Sequence, residues 1–600
     1  MITKSQQMGR IKGHQIYKII STEFMPLRER QITDPDEEKY LQYMKMQIKS
    51  GPMYFSYTFD LTNSFQRQAQ CDPNQPLWQR ADDRFYWNRF ICSSLIDFRE
   101  GRTNERLSTS PKREVDPYIL PVMFGMMSIT NTSVKGNAMT FTLITRRSRH
   151  RAGTRYMSRG IDEQGHVSNF NETEQAIILN DSASSGLTSF AGDQGFANTN
   201  PVGGKETQVL AYVQTRGSVP VYWAEINTLK YTPKLQIRSV EAATRAAMTH
   251  FDEQIRLYGE SYMVNLVNQK GREKPVKDAY EQMVKILQSS PVEESEAGRK
   301  QNERFNVIEP TDKKGWYDHL HYVYFDFHTE TKGLKWHRAL LLLDQLKDGL
   351  EAGGYFHGID MPGGAGGVDV RRKQTAVVRT NCMDCLDRTN VIQSMLGRWT
   401  LTRQLIDLGV MRPGESAQDD ASFENLFRNV WADNADVVSR SYSGTGALKT
   451  DFTRTGNRTR KGALQDLNNS ITRYVRNNFT DGPRQDGFDL FLGAYRPDEA
   501  GIGAAQQFVD RRPLLVQAVP YVLGFCIFFV IVSASTNRMP DSTVWPLRMT
   551  TLFAVGVAGY AANFIFNYGS LYVSSCPPNP CGPEVVPLIL GCWAVLGGSQ

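Results

Sequence analysis

The chain has 600 residues, a formal net charge of +6 and eight cysteines. That length allows two or three domains around a large core. Ordinary charged and apolar fractions exclude a disordered or fibrous chain, and so mild a charge permits an anionic partner without demanding one. Most cysteines lie far apart in sequence, which suggests a reducing compartment for the main body. Residues 1–7 lack the apolar run of a signal peptide, so the bulk is expected to face the cytosol.

Residues 13–20 alternate well enough for a strand, and 53–61 form another, rich in aromatics. A third strand is predicted over 139–145. It runs into a basic cluster of Arg146, Arg147, Arg149, His150, Arg151, Arg155 and Arg159. Most charge runs are solvated loops. The sharper expectation is contact with an anionic headgroup, with Arg151 and Arg155 in the binding set.

Residues 181–207 are rich in Ser, Gly, Asn and Thr and read as a surface loop. Order returns at 209–223 and again at 262–273, where Asn268, Lys270 and Arg272 are candidates for the vicinity of an anion site. A short strand at 323–328 carries Asp326, a reserve candidate for general acid, and His328. A helix is expected over 339–350. The glycine-rich run that follows, 353–367, lacks the Lys-Ser/Thr of a nucleotide loop and reads as a linker.

The chemistry is concentrated in Arg379-Thr380-Asn381-Cys382-Met383-Asp384-Cys385-Leu386-Asp387-Arg388-Thr389-Asn390. Residues 375–378 before it read as a buried strand, and 391–399 after it as the start of a helix. Strand, loop and helix start frame an anion site, because free N–H groups and the helix dipole face the loop. Cys382 and Arg388 are separated by five residues. A helix N-terminus and an arginine both favour the thiolate, and a guanidinium grips phosphate bidentately. Cys382 is thus a candidate nucleophile and Arg388 a phosphate clamp. Thr389 is placed to stabilise the sulfur, and either Asp384 or Asp387 to serve as acid and base.

The spacing alone is weak evidence, and a buried cysteine before a helix explains it about as well. A redox couple of Cys382 and Cys385, or half a zinc site, is a further alternative. No second pair of that spacing exists, which argues against zinc.

Basic residues recur between 454 and 484: Arg454, Arg458, Arg460, Lys461, Arg473, Arg476 and Arg484. They precede an uncharged apolar run at 514–534, long enough to cross a bilayer. A second, weaker span is expected over 549–566, with Ala554, Ala558 and Ala562 as a small packing face. A hairpin with both ends cytosolic follows, with Arg511 and Arg512 at its inner edge. The basic segment is then expected to dock on the membrane surface. Beyond it, the apolar run at 585–598 is too short for a comfortable span.

The twelve-residue string closely resembles the signature of the Sac-domain phosphoinositide phosphatases. Further blocks resemble the family in its own order. They include residues 80–88, 151–162, 169–175, 209–223, 262–273, 431–436 and 442–452, so the likeness runs from about residue 10 to 570. It is closest to the branch anchored in the endoplasmic reticulum and Golgi by two C-terminal spans. Two departures stand out: about 70 residues expected ahead of the first strands are absent, and the tail lacks a lysine-bearing retrieval signal.

The resemblance implies an α/β body. A Sac N-terminal mixed-sheet domain, apparently truncated, occupies 1–117, and a cysteine-phosphatase-type catalytic domain occupies 118–495. A linker at 496–512, a transmembrane helical hairpin at 513–567 and a tail at 568–600 complete the expected layout. It implies hydrolysis of phosphatidylinositol 4-phosphate, and of other phosphatidylinositol monophosphates, through a cysteinyl-phosphate. The catalytic set is Cys382, Arg388, Asp384, Asp387 and Thr389. Asn381, Met383, Cys385, Leu386, Arg151 and Arg155 are expected around the substrate. The partner is a phosphoinositide in the membrane, with no nucleic acid. No metal or cofactor is called for, since the loop and Arg388 supply the positive potential. Rival readings are a catalytically weak phosphoinositide-binding tether and a membrane-bound thiol switch.

Overall fold

A computed structural model describes residues 1–25, 35–102, 113–180, 206–289, 316–332, 336–360, 367–496, 512–535 and 544–573. Most of the loop expected at 181–207, much of the glycine-rich run, Arg511, the connection between the spans and the tail lie outside these residues.

One 12-stranded sheet organises the body. Strands β1 (Ile2–Ile11), β2 (His14–Thr22), β3 (Met53–Phe55), β4 (Met123–Val134), β5 (Asn137–Arg147), β6 (Asn171–Leu179) and β7 (Gln208–Arg216) follow one another as antiparallel neighbours. Lys12 and Gly13 both have positive φ, as do Lys135 and Gly136. Two such residues in a row make the tight turn that matches strand twist, so β1–β2 and β4–β5 close as hairpins. The first strand was not legible in the sequence, whereas β2 and β5 fall where strands are predicted. Only the start of the run at 53–61 is strand.

The sheet then changes character. β8 (Trp223–Ile226) and β9 (Lys234–Ile237) form a separate ribbon. β10 (Glu260–Asn265), β11 (Leu320–Tyr324) and β14 (Ala376–Asn381) are parallel to one another, and β14 also runs parallel to the end of β7. The hairpin of β12 (Phe356–Asp360) and β13 (Val368–Arg372) branches from the other half of β7. Helices Val240–Tyr258, Lys274–Ser289 and Leu340–Gly353 supply the long connections that parallel strands need. Every residue of β7 and β14 is buried. This is what covering both faces of a central strand requires, and it explains the continuous apolar run before the cysteine loop.

Helix Asp387–Asp407 leaves β14 and packs back on the sheet. It carries Ile392, Leu396, Leu401 and Leu405, none of which reaches solvent. Ile392 and Leu396 lie one turn apart, as do Leu401 and Leu405, and the two pairs point to opposite sides, as in a helix covered on both sides; truncating any one to alanine costs about 2–5 kcal/mol. Helix Ala421–Ser443 covers this one, capped at its start by the Asp420 carboxylate and closed by Gly444 in the left-handed region. The resulting core joins β4–β7, β10, β14 and both helices. The carboxyl ends of β7, β10 and β14 share one edge, the usual place for a site in parallel sheets.

Two apolar helices follow, Leu514–Ser535 and Val544–Asn567. Their mean hydropathies are 2.4 and 1.5, and most of their surface is exposed. They pack on each other through Cys526, Ala554 and Ala561, with Ser533 and Thr551 hydroxyls 2.8 Å apart. The small face therefore runs through Ala561 rather than Ala562, which is exposed. The large mixed sheet and the C-terminal pair of apolar helices agree with the expected fold class.

Candidate active site

Residues 382–386 bridge β14 and helix Asp387–Asp407. Cys382 follows directly on β14, so its sulfur sits at the carboxyl edge. Cys385 adopts a φ of 53°. This left-handed turn aims its N–H at Cys382 Sγ, 3.0 Å away, while its own thiol donates to Gly217 O at 3.1 Å. The Thr389 hydroxyl, one turn into the helix, donates to Cys382 Sγ at 3.6 Å. No side chain caps the helix start at Leu386, which leaves backbone donors facing the loop for an anion.

These contacts set the acidity of the two thiols. Hydrogen bonding from Cys385 brings the Cys382 thiol down to about 6. Burial opposes this, while Arg388 and Thr389 assist. Burial and the neighbouring Cys382 charge push Cys385 well above a normal thiol. The surroundings thus favour the thiolate at Cys382 and the thiol at Cys385.

The two aspartates occupy opposite environments. Burial works to raise Asp384, but Arg155 and Arg159 outweigh it and hold the carboxyl well below the usual range. The Arg155 guanidinium reaches Asp384 at 2.9 Å and that of Arg159 at 2.7 Å. Arg159 also donates to Met383 O at 3.1 Å, and Asn169 donates to Asp384 O at 2.9 Å. Asp384 is thus an ionised anchor that fixes the loop. Asp387 instead has its acidity weakened, chiefly by burial, with Asp384 and Asp466 adding to it against Arg473 and a 2.8 Å hydrogen bond from Leu448 N–H. Of the two, Asp387 is the one poised to carry a proton.

Arg388 is not turned toward the loop. Both terminal nitrogens reach the Glu273 carboxylate, at 2.9 and 3.0 Å, and one also donates to Leu266 O at 3.1 Å. The expected clamp is engaged by a carboxylate in the short turn Gly271–Glu273, beyond the end of β10. Its charge still favours the Cys382 thiolate.

The other expected residues divide. Asn381 is buried and donates to Asn265 Oδ1 at 2.7 Å, tying β14 to β10. Met383 and Leu386 are buried in apolar clusters beside the loop. Arg155 lies at the loop through Asp384. Arg151 instead donates to Arg159 O, closing its own loop. The wider basic cluster is absorbed by the fold: Arg146 pairs with Glu172 and Glu174, all fully buried, and Arg149 pairs with Asp83. Asp326 caps the short helix Phe327–Glu330. Arg272 pairs with Glu225, which also holds Arg159. Three of the basic residues between 454 and 484 are likewise engaged in ion pairs. Arg454 pairs with Asp433, Arg458 with Asp451 and Asp466, and Arg484 with Asp481.

Sequence reasoning missed Glu273, Glu225, Asn169, Tyr442 and Arg216. Tyr442 accepts from Arg159 at 3.2 Å. Arg216 lies fully buried, which lowers its pKa to about 10, and charge on Cys385 and Cys382 only partly offsets that burial. Glu273 closes the stretch 262–273 singled out for an anion site, which is the signal that could have found it, and Arg216 ends β7 inside the stretch 209–223.

A family model described as the SacI homology domain matches residues 1–332. A Saccharomyces cerevisiae protein named phosphatidylinositol-3-phosphatase SAC1 is 42% identical over 533 residues, covering 87% of this chain and 75% of that protein. Its Drosophila melanogaster namesake is 37% identical over 574 residues, covering 94% and 83%. The Danio rerio protein SAC1-B is 34% identical, covering 89% and 80%. A match over more than half the chain, together with relatives of this identity along most of their length, means that the chain belongs to the Sac domain family.

Proposed function

We propose that the chain is a phosphoinositide phosphatase that cleaves phosphatidylinositol 4-phosphate to phosphatidylinositol and phosphate. Other phosphatidylinositol monophosphates are secondary substrates; the relatives' names specify the 3-phosphate. The observation that carries this reading is the Cys382 sulfur, accepting from Cys385 N–H and Thr389 at an uncapped helix start.

Backbone N–H groups of the loop hold the phosphoryl oxygens, and Arg388, released from Glu273, closes on two of them. Cys382 Sγ attacks phosphorus. The S–P bond forms as the P–O bond to inositol breaks, and the leaving oxygen takes the proton of Asp387. Asp387, now a base, takes a proton from water. The resulting hydroxide attacks phosphorus, the S–P bond breaks and phosphate leaves. Thr389 stabilises the departing thiolate. Asp384 takes no proton and keeps Arg155 and Arg159 in place. The apolar helices anchor the enzyme in the endoplasmic reticulum or Golgi membrane, with the catalytic body cytosolic.

One observation favours the second reading, a phosphoinositide-binding tether of weak activity: Arg388 rests on Glu273 rather than over the loop. Phosphate release from a panel of phosphoinositides in vesicles separates the two. Release from the 4-phosphate by wild type, lost in Cys382→Ser, is expected. Lipid binding by wild type without release from any phosphoinositide favours the tether instead.

A further inference from the structure

Helix Arg460–Phe479 is amphipathic in an unusual sense, because its apolar side faces away from the body. Leu464, Leu467, Ile471, Val475 and Phe479 recur at spacings of three and four and are between 46% and 69% exposed. Single exposed apolar residues are ordinary, but a five-residue stripe along one face marks an interaction surface. The opposite face is buried through Gly462, Arg473 and Asn477.

The surroundings of this helix identify the occupant. Tyr474 donates to Leu229 O, and its ring stacks with exposed Tyr231 at 6.5 Å. The same loop touches the end of the second apolar helix. Lys230 Nζ lies 5.9 Å from the Phe566 ring, and a Cβ on Gly569 would collide with Thr228 O. Arg512 donates to Leu571 O at 2.9 Å, so the start of the first apolar helix is at this place too. The stripe is therefore joined, through one short loop, to the ends of the two apolar helices. Exposed tyrosines there match the composition of a membrane interface.

We propose that helix Arg460–Phe479 lies on the bilayer that holds the two apolar helices, with Leu464, Leu467, Ile471, Val475 and Phe479 inserted among the lipids. An interfacial helix buries its apolar face at the headgroup boundary and keeps its polar face toward water or protein. Exposed Arg460 and Lys461 at its start face anionic headgroups. The neighbouring arginines, already paired within the protein, are not the docking surface. The inner face carries Arg473, whose guanidinium donates to Thr445 and Gly446 O and whose charge bears on Asp387. One helix thus spans the distance from lipid surface to proton donor.

The test uses the full chain in phosphatidylcholine vesicles, with a photoreactive benzoylphenylalanine at Ile471 and, separately, at exposed Gln418. A lipid adduct at 471 and not at 418 is expected. An adduct to a second copy of the chain, or no more lipid adduct at 471 than at 418, overturns the proposal. This measurement does not depend on catalysis, so its outcome stands whatever becomes of the phosphatase reading. A second arm rests on that reading. The double variant Leu467→Glu, Ile471→Glu is expected to lose about tenfold in phosphate release from vesicle-embedded substrate while keeping its rate on a soluble short-chain phosphoinositide. Equal losses on both substrates, or no loss on vesicles, overturn it.

Discussion

The stretch Arg146–Arg159 and the loop 382–390 both read as anion sites, yet the fold treats them differently. In the first, Arg146 is locked between Glu172 and Glu174 with no exposure, and Arg149 is taken by Asp83. In the second, Cys382 Sγ accepts from Cys385 N–H and the Thr389 hydroxyl, and Arg388 is partly exposed. A fully buried arginine already held by carboxylates is closed to a ligand, whereas a partly exposed one such as Arg388 has first to be released from its partner. Arg155 and Arg159 join the two regions: they belong to the first stretch and hold Asp384 in the second.

The sharpest way to separate them is one substitution in each. Cys382→Ser is expected to abolish phosphate release and leave the melting temperature unchanged. Glu172→Ala removes the buried carboxylate that Arg67, Arg84 and Arg146 share and leaves only Asp82 and Glu174 to hold three guanidinium groups, a loss expected to cost about 3–5 kcal/mol of stability. Denaturant midpoints with parallel phosphate assays check both. A Cys382→Ser protein that melts early would mean the loop is as structural as the arginine network.

Asp387 and Asp384 are distinguished by pH. Turnover needs Cys382 ionised and Asp387 protonated. The rate should therefore be bell-shaped in pH, since it needs Cys382, lowered to about 6, without its proton and Asp387, raised by burial, with its own. Asp387→Asn is expected to reduce kcat about 10²-fold or more and to remove the falling limb. Asp384→Asn keeps that limb, because Asp384 transfers no proton, and lowers the rate by loosening Arg155 and Arg159. A falling limb that survives Asp387→Asn would assign the acid elsewhere. Thr389→Ala has a smaller effect, about tenfold in kcat, and moves the rising limb to higher pH, since one donor to the thiolate is lost.

Much of this was legible in the sequence for identifiable reasons. β14 announced itself because a strand covered on both faces must be apolar throughout. The apolar helices stood out by length and lack of charge. The loop was legible because cysteine, arginine and helix start lie within a few residues of one another. β1 stayed hidden because its edge position leaves it polar and exposed. The fate of the arginines was equally hidden, because Glu172, Glu174 and Glu273 become their partners only when strands pair. Nor did the sequence choose between Asp384 and Asp387. That choice depends on Arg155 and Arg159, brought to the loop from more than 200 residues away.

The smallest expected effect probes the contact that blurs the comparison, Arg388 with Glu273. This pair makes the catalytic loop resemble the arginine stretch, since the clamp is already occupied. Glu273 and substrate phosphate compete for the same two guanidinium nitrogens. Glu273→Gln removes the competing charge but keeps a hydrogen-bond acceptor near Arg388. A partly exposed ion pair contributes about 1 kcal/mol, so KM for a phosphoinositide should fall by roughly fivefold. Stability should change little, and kcat should stay within about twofold, because Arg388 reaches the phosphate in either protein once substrate has displaced the carboxylate. A raised KM would mean that Glu273 orients Arg388 toward the phosphate instead of holding it away. The pair would then belong to the assembled site, and the carboxylate rule drawn from Arg146 would not extend to Arg388.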